Sequence, residues 1–131
     1  MKIIMLSGPS DSGKTSTLNL VYNALLSNGG VSLSKHKLGG DPNDFYDIVT
    51  YQGQRIAFYT MGDYARCLID AMKNYSTSAD VLICACNNHF VLPYKSIRHY
   101  PHQIVQKTVA NSKSLHNSVN QSDANLIISL I

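Results

Sequence analysis

The chain has 131 residues, which is the size of one domain and too short for two ordinary ones, so we expect a single domain over residues 1–131. Hydrophobic residues make up 44% of the chain and charged residues 15%, a composition that excludes a disordered or low-complexity protein. The formal net charge of +3 suits phosphate-bearing ligands but is too small for a dedicated nucleic-acid-binding protein, so nucleic acid is not an expected partner.

The first third of the chain predicts a strand, a helix and a second strand. Residues 3–6 form a short apolar run of the kind found in buried parallel strands, and a Ser-Gly-Pro turn ends it. A helix is predicted next, because four apolar residues fall at i, i+3, i+4 and i+7, namely Leu18, Val21, Tyr22 and Leu25. Asn28-Gly29-Gly30 ends this helix, and residues 31–34 alternate like a strand.

The rest of the chain predicts a hairpin, a helix and two further strands. Residues 45–51 and 55–60 are rich in β-formers and flank Gln-Gly-Gln, which predicts a β-hairpin. A helix with one apolar face follows up to about Tyr75, and residues 81–86 form a fully apolar strand. In the polar remainder, the spacing of Ile104, Val105, Thr108 and Val109 predicts a short helix, and the apolar run 124–131 predicts a last buried strand.

The expected environment is the reducing cytoplasm. No apolar run approaches the roughly 20 residues needed to cross a bilayer, and we find no signal peptide, so a soluble protein away from membranes is expected. The three cysteines, Cys67, Cys84 and Cys86, make an odd count without a C-x-x-C pair, which argues against a disulfide framework. Cys84 and Cys86 lie two apart in the apolar strand, so we expect them to be buried on one face.

One motif carries chemistry. The pattern G-x-x-x-x-G-K-[ST] is complete between the first strand and the first helix, at Gly8, Pro9, Ser10, Asp11, Ser12, Gly13, Lys14 and Thr15. Glycines let backbone N–H groups surround phosphate oxygens, and the helix that follows points the positive end of its dipole at them. In such a loop Lys14 reaches the β- and γ-phosphates, Thr15 gives its hydroxyl to Mg²⁺, and Ser16 or Thr17 contacts the α-phosphate.

These residues resemble the P-loop NTPase superfamily, although the branch is unresolved. The resemblance implies a three-layer α/β fold with a mostly parallel sheet of about five strands and one antiparallel hairpin strand. GTP-binding members carry Asp-x-x-Gly after the hairpin; here Gly62 fills the Gly position, but Tyr59 stands where the Asp would be. No Asn-Lys-x-Asp guanine motif exists, so ATP is favoured over GTP on the frequency of the family.

Asp63 is the best candidate for the acid of the reaction. No glutamate occurs in the chain, so a carboxylate that holds Mg²⁺ or activates a nucleophile has to be an aspartate. Asp63 follows the predicted hairpin at the carboxyl end of a strand, where ligands of parallel sheets collect. The alternative is that Asp63 is the N-cap of the helix that follows.

Two further segments are candidates for substrate contacts. The basic cluster 35–37 follows a strand that is similar to the one ending in Lys-His in P-loop proteins of molybdenum-cofactor nucleotide attachment; a solvated basic turn is the alternative. Around residues 94–102, Lys95 and Arg98 stand among aromatic side chains, as in the lid of a small-molecule kinase. The alternative for this segment is an irregular surface loop.

The sequence therefore predicts an Mg²⁺-dependent protein that binds a nucleoside triphosphate and hydrolyses or transfers its γ-phosphate. Lys14 and Asp63 are the expected catalytic residues, and Thr15 and Asp63 the expected metal ligands. A small-molecule kinase and a non-catalytic nucleotide switch remain alternatives. The pattern predicts that the last element is a strand, without the closing helix common in this superfamily. One sheet face would then be thinly covered, which makes a homodimer a hypothesis.

Overall fold

The structure is a computed structural model that describes all residues, Met1–Ile131. Seven strands and four α-helices form a mixed α/β fold. In chain order they are β1 (Lys2–Gly8), α1 (Lys14–Ser27), β2 (Val31–Ser32), β3 (His36–Lys37), β4 (Phe45–Tyr51), β5 (Gln54–Tyr59), α2 (Ala65–Tyr75), β6 (Val81–Asn87), α3 (Leu92–Ser96), β7 (His102–Gln106) and α4 (His116–Leu130). Two 3₁₀ helices span Ile97–His99 and Lys113–Leu115.

The strands form one mixed sheet in the order β2-β4-β5-β6-β1-β7, and β3 also pairs with β4. β1 is central and runs parallel to β6 and β7, and β5 runs parallel to β6. β4 is antiparallel to its three partners, β2, β3 and β5. The carboxyl ends of β1, β5 and β6 therefore meet at one edge of the sheet, together with the start of β4.

The helices pack on two hydrophobic clusters, one on each side of the sheet. Alternate residues of β1 point to opposite sides, so Ile4 and Leu6 belong to one cluster and Ile3 and Met5 to the other. The first cluster includes α1 and, through Ala124 and Ile127, α4; the second includes α2 and the 3₁₀ helix Ile97–His99. All these strand residues are fully buried, so the sheet is the common wall of the two clusters.

Most elements of the first two thirds are confirmed. The first strand, α1, the hairpin of β4 and β5, α2 and β6 all lie where the apolar patterns predict them. Cys84 and Cys86 are buried on β6 and Cys67 is exposed, all three as free thiols. Of the strand expected over residues 31–34, only Val31–Ser32 is a strand, β2. Two strands that the patterns did not predict, β3 and β7, bring the sheet to seven strands rather than about five. None of the helices has the length and hydropathy needed to span a membrane.

The two elements predicted in the last third are wrong. Residues 104–109 are not a helix, because the β-branched pair Ile104 and Val105 extends within β7 and pairs with Met5 and Leu6 of β1. Residues 124–131 are not a strand, because the buried residues of this segment recur at helical spacing within α4, at Asn120, Asp123, Ala124 and Ile127.

Helix α4 also changes the argument about a dimer. It packs beside α1 on the first cluster, which puts a closing helix where the sequence predicted none. The thinly covered sheet face, and with it the reason to expect a homodimer, is therefore absent. The capping role considered for Asp63 is wrong as well, since Tyr64 is the N-cap of α2 and no side chain caps that helix.

Candidate phosphate-binding site

The predicted phosphate-binding loop connects the carboxyl end of β1 to the start of α1. β1 ends at Gly8 and α1 begins at Lys14. Asp11 and Gly13 have positive φ angles of 57° and 95°, so the loop turns back on itself before the helix. Glycine adopts a positive φ angle at little steric cost because it has no Cβ atom, which explains the glycine at position 13. The loop and the amino end of α1 therefore have the geometry of an anion-binding turn.

The loop rests on residues from the last third of the chain. A Cβ atom on Gly8 would lie 2.8 Å from the Cβ of Lys107, and one on Gly13 would lie 2.7 Å from Oδ1 of Asn120. Lys107 is buried, and its Nζ lies 3.1 Å from Oδ2 of Asp123. The amide of Lys107 also donates to the carbonyl of Ser7. Both glycines are thus needed for close packing, and Gly13 is needed for its backbone conformation as well.

A cleft of about 280 Å³ opens in front of the loop. None of its eleven lining residues is hydrophobic; they are Asp11, Ser12, Gly13, Lys14, Thr15, Ser16, Asp41, Asp44, Thr60, Gly62 and Asp63. The cleft lies at the sheet edge where β1 and β5 end and β4 begins. A wholly polar lining of this kind suits charged groups rather than a flat apolar ring.

Lys14 is the buried cation of the cleft. Its Nζ donates to the carbonyl oxygens of Gly8, at 3.2 Å, and Pro9, at 2.5 Å. Burial lowers the pKa of Lys14 below the usual lysine value, while the carboxylates of Asp63 and Asp11 act in the opposite direction. An anion in the cleft would therefore relieve an unfavourable burial of positive charge.

The hydroxyl of Thr15 is bonded to Asp44, which the sequence analysis missed. Thr15 Oγ1 and Thr60 Oγ1 each donate to Asp44 Oδ1 over 2.9 Å. The Asp44 residue is only 3% exposed, and it stands immediately before β4. The Thr60 hydroxyl in turn accepts the amide of Phe45 at 2.9 Å. A carboxylate and a hydroxyl, which are oxygen ligands preferred by Mg²⁺, are thus held together in the cleft.

Gly62 and Asp63 enter the cleft from the end of β5. A Cβ on Gly62 would lie 2.9 Å from the carbonyl carbon of Ala85, so this segment crosses directly over the backbone of β6. Asp63 is exposed, and its Oδ1 accepts a hydrogen bond of 3.1 Å from Nδ2 of Asn87. The other amide atom of Asn87, Oδ1, is buried without a partner.

The structure brings most of the predicted site residues together but not all. Ser12, Gly13, Lys14, Thr15, Ser16, Asp11, Gly62 and Asp63 line the cleft. Gly8, Pro9 and Ser10 form the first half of the loop outside the lining, and Thr17 is buried with its hydroxyl donated to the carbonyl of Gly13.

The basic and lid candidates do not line the cleft. Lys35 lies over the rings of Tyr22 and Phe45, with its Nζ 4.8 Å and 4.5 Å from the two ring centroids. Lys95 is exposed on α3, and Arg98 is exposed on the 3₁₀ helix that leads into β7. β7 begins beside Ile3, at the edge of the sheet opposite the loop, so the chain around Arg98 runs away from the cleft.

Asp44 could have been found from the predicted hairpin. Antiparallel pairing brings Tyr46 opposite Tyr59, so residues just before Tyr46 must lie at the same edge as residues just after Tyr59. The acidic turn in front of β4 therefore belonged with Gly62 and Asp63. Its contact with Thr15 depends on how α1 packs on the sheet, which local patterns do not determine.

Comparison of the chain with family models, with curated proteins and with solved structures found no match. The arguments for function therefore rest on the loop and the cleft.

Proposed function

We propose that this protein binds a nucleoside triphosphate with Mg²⁺ in the cleft and hydrolyses or transfers the γ-phosphate. The observation that carries the proposal is the pairing of Thr15 with Asp44 directly beside the Gly13-Lys14 turn. A hydroxyl, a carboxylate and a buried lysine converge there on a helix amino terminus. Each of these groups has a partner on a metal-bound triphosphate.

We also propose that the fold is the three-layer arrangement of P-loop proteins. Support comes from the two hydrophobic clusters, with α1 and α4 in one and α2 in the other, and from the position of the loop at the carboxyl end of central β1. Ligands of open α/β sheets bind at this edge.

The donor set of the cleft fits Mg²⁺. No three His, Cys or Asp side chains are placed so that they could hold a metal ion by themselves, as a metal site built from protein alone would require. Mg²⁺ instead takes one or two carboxylates together with waters and substrate phosphates. Thr15 and Asp44 would hold the ion, and Asp63 lines the same cleft, where its carboxylate acts on the charge of Lys14. When bound, the ion neutralises charge on the phosphate oxygens.

The chain's own residues supply positioning and charge. The loop amides and Lys14 would bind the phosphates, with Lys14 exchanging its bonds to the Gly8 and Pro9 carbonyls for phosphate oxygens. Asp63, held by Asn87, is the carboxylate free to orient a water or an acceptor hydroxyl. ATP stays the favoured nucleotide on the frequency of the P-loop family, since the chain has no Asn-Lys-x-Asp guanine motif.

The fate of the γ-phosphate tests the proposal. We would incubate the protein with Mg²⁺ and γ-labelled ATP or GTP and follow the label, using Lys14→Ala as the inactive control. Label released as inorganic phosphate indicates hydrolysis, and label moved to an added small molecule indicates a kinase. If the nucleotide binds and the label stays on it, the protein is a switch, and if no nucleotide binds, the proposal is wrong.

A further inference from the structure

A second pocket lies on the α2 side of the hairpin and has no part in the proposed nucleotide site. Its volume is about 400 Å³, within the range of small-molecule sites. Seven residues line it, and they are Tyr46, Tyr59, Cys67, Asp70, Ala71, Asn74 and Tyr75. We call it the tyrosine pocket.

The fold explains why three tyrosines meet there. Tyr46 and Tyr59 are directly opposite one another on β4 and β5, so their side chains share one face of the sheet. Tyr75 is the last residue of α2, the helix that packs on that face. The ring of His36 stacks on that of Tyr46, with centroids 4.8 Å apart, which restricts the Tyr46 ring.

The only charged group of the lining is a carboxylate. Asp70 is half-exposed on α2, and no Lys, Arg or His lines the pocket. Asp70 does have a weak partner outside the lining, Arg66, whose Nε lies 3.6 Å from its Oδ1. Such exposed pairs contribute little and exchange readily.

A second carboxylate, Asp47, acts on Tyr75 from outside the lining. Burial raises the pKa of Tyr75, and the neighbouring Tyr46 and Asp47 raise it further. Asp47 is a buried carboxylate on β4, and it accepts hydrogen bonds from Tyr22, Ser32 and Ser34 rather than pairing with a cation. A cation entering the pocket would therefore meet phenol oxygens, aromatic π-electrons and the Asp70 carboxylate.

We propose that the tyrosine pocket binds a small organic ammonium ion, with the charge beside Asp70 and the organic part among Tyr46, Tyr59 and Tyr75. Aromatic ring faces attract a cation electrostatically, and the phenol oxygens and the Asn74 side-chain oxygen can accept hydrogen bonds from its N–H groups. Neutral molecules of the same shape lack these contacts.

A matched pair of probes tests the charge. Phenethylamine carries an ammonium group where 2-phenylethanol carries a hydroxyl, and the two molecules are otherwise the same. Their binding is measured by calorimetry and tyrosine fluorescence without nucleotide or Mg²⁺. We expect phenethylamine to bind about tenfold more tightly than the alcohol. Equal binding of both compounds overturns the proposal. So does the absence of phenethylamine binding up to about 10 mM, which is tenfold above the dissociation constant of about 1 mM of a weak ligand.

Three variants test the location. Asp70→Asn keeps the shape and should weaken phenethylamine binding about fivefold, whereas Arg66→Gln removes a competing cation and should leave binding equal or tighter. Asp11→Asn, which makes the same charge change at the nucleotide cleft, is the control and should have no effect. Unchanged binding in a folded Asp70→Asn variant, or equal weakening in all three, contradicts the proposal. Because nucleotide is absent, failure here leaves the proposed function untouched.

Discussion

At the scale of single residues, the proposed function depends on the side chains of Lys14, Thr15 and Asp44. The glycines and the lysine of the loop follow from the sequence motif, and the structure places them as the motif predicts, in a turn before α1. The place of Asp44 at this edge of the sheet follows from the predicted hairpin, but its contact with Thr15, 29 residues away in the chain, follows from no local pattern. Single residues in a site are therefore predictable where they share a motif and not where packing brings them together.

The carboxylate of Asp44 should be needed for the metal-dependent part of binding. We expect Asp44→Asn to weaken Mg-nucleotide binding by at least about tenfold, because the neutral amide is a poor Mg²⁺ ligand, while binding of the nucleotide in EDTA changes little. Calorimetry with and without Mg²⁺ measures both. Asp41→Asn is the matched control, since Asp41 lines the cleft without contacting Thr15. Equal losses in the two variants would contradict this role of Asp44.

The lowered pKa of Lys14 predicts a pH dependence of binding. Lys14 is charged below its folded-state pKa and neutral above it, so nucleotide affinity should fall as the pH rises, beginning before an ordinary lysine would lose its proton. Because the unfolded chain keeps that proton to higher pH, the same shift makes folding relatively more favourable with rising pH between the two pKa values.

Affinity for Mg-nucleotide is measured by calorimetry from neutral to alkaline pH. The wild type should lose about tenfold in affinity as the Lys14 charge is removed, and Lys14→Gln should bind weakly with a much flatter profile. The same alkaline loss in Lys14→Gln would show that another group causes it.

At the scale of elements, the segment after β5 depends on its close approach to β6. We expect Gly62→Ala to lower the free energy of unfolding by about 1–3 kcal/mol, because the added methyl meets the backbone of Ala85 and Cys86 rather than a movable side chain. Urea unfolding measures the loss. Gly39→Ala is the control, since a Cβ there has no atom within 4 Å, and it should change stability by no more than about 0.5 kcal/mol.

The attachment of β7 to α4 depends on a buried ion pair. Lys107→Met should lower the free energy of unfolding by about 3 kcal/mol, because it leaves the carboxylate of Asp123 buried without its cation. Adding Asp123→Asn should recover part of the loss, because it removes the unpaired charge, and the amide oxygen can still accept from the Thr108 N–H while the amide NH₂ donates to the Thr108 hydroxyl. Urea unfolding of the single and double variants tests this, and a double variant less stable than Lys107→Met would contradict it.

At the scale of the whole molecule, periodicity predicted the elements up to β6 except β3, and it failed after β6. Most strands and helices up to that point have an apolar pattern that fits either a strand or a helix, but not both. In the last third, the run from Leu126 to Ile131 reads as a strand because exposed Leu126 continues the apolar stretch, although the buried residues follow the helical period. The order of the strands and the packing of α4 beside α1 depend on long-range contacts, which a single sequence does not determine.

The central claim is that the loop binds a nucleoside triphosphate, and the melting temperature tests it most directly. The wild type, Lys14→Ala and the control Lys113→Ala, which changes an exposed lysine far from the loop in sequence, are each melted with and without excess Mg-ATP or Mg-GTP. A ligand at about 100 times its dissociation constant adds roughly 2.7 kcal/mol, which raises the melting temperature by several degrees. We predict this shift with Mg-ATP in the wild type and in Lys113→Ala, and its loss in Lys14→Ala. No shift in the wild type with either nucleotide, or an equal shift in Lys14→Ala, would contradict the claim.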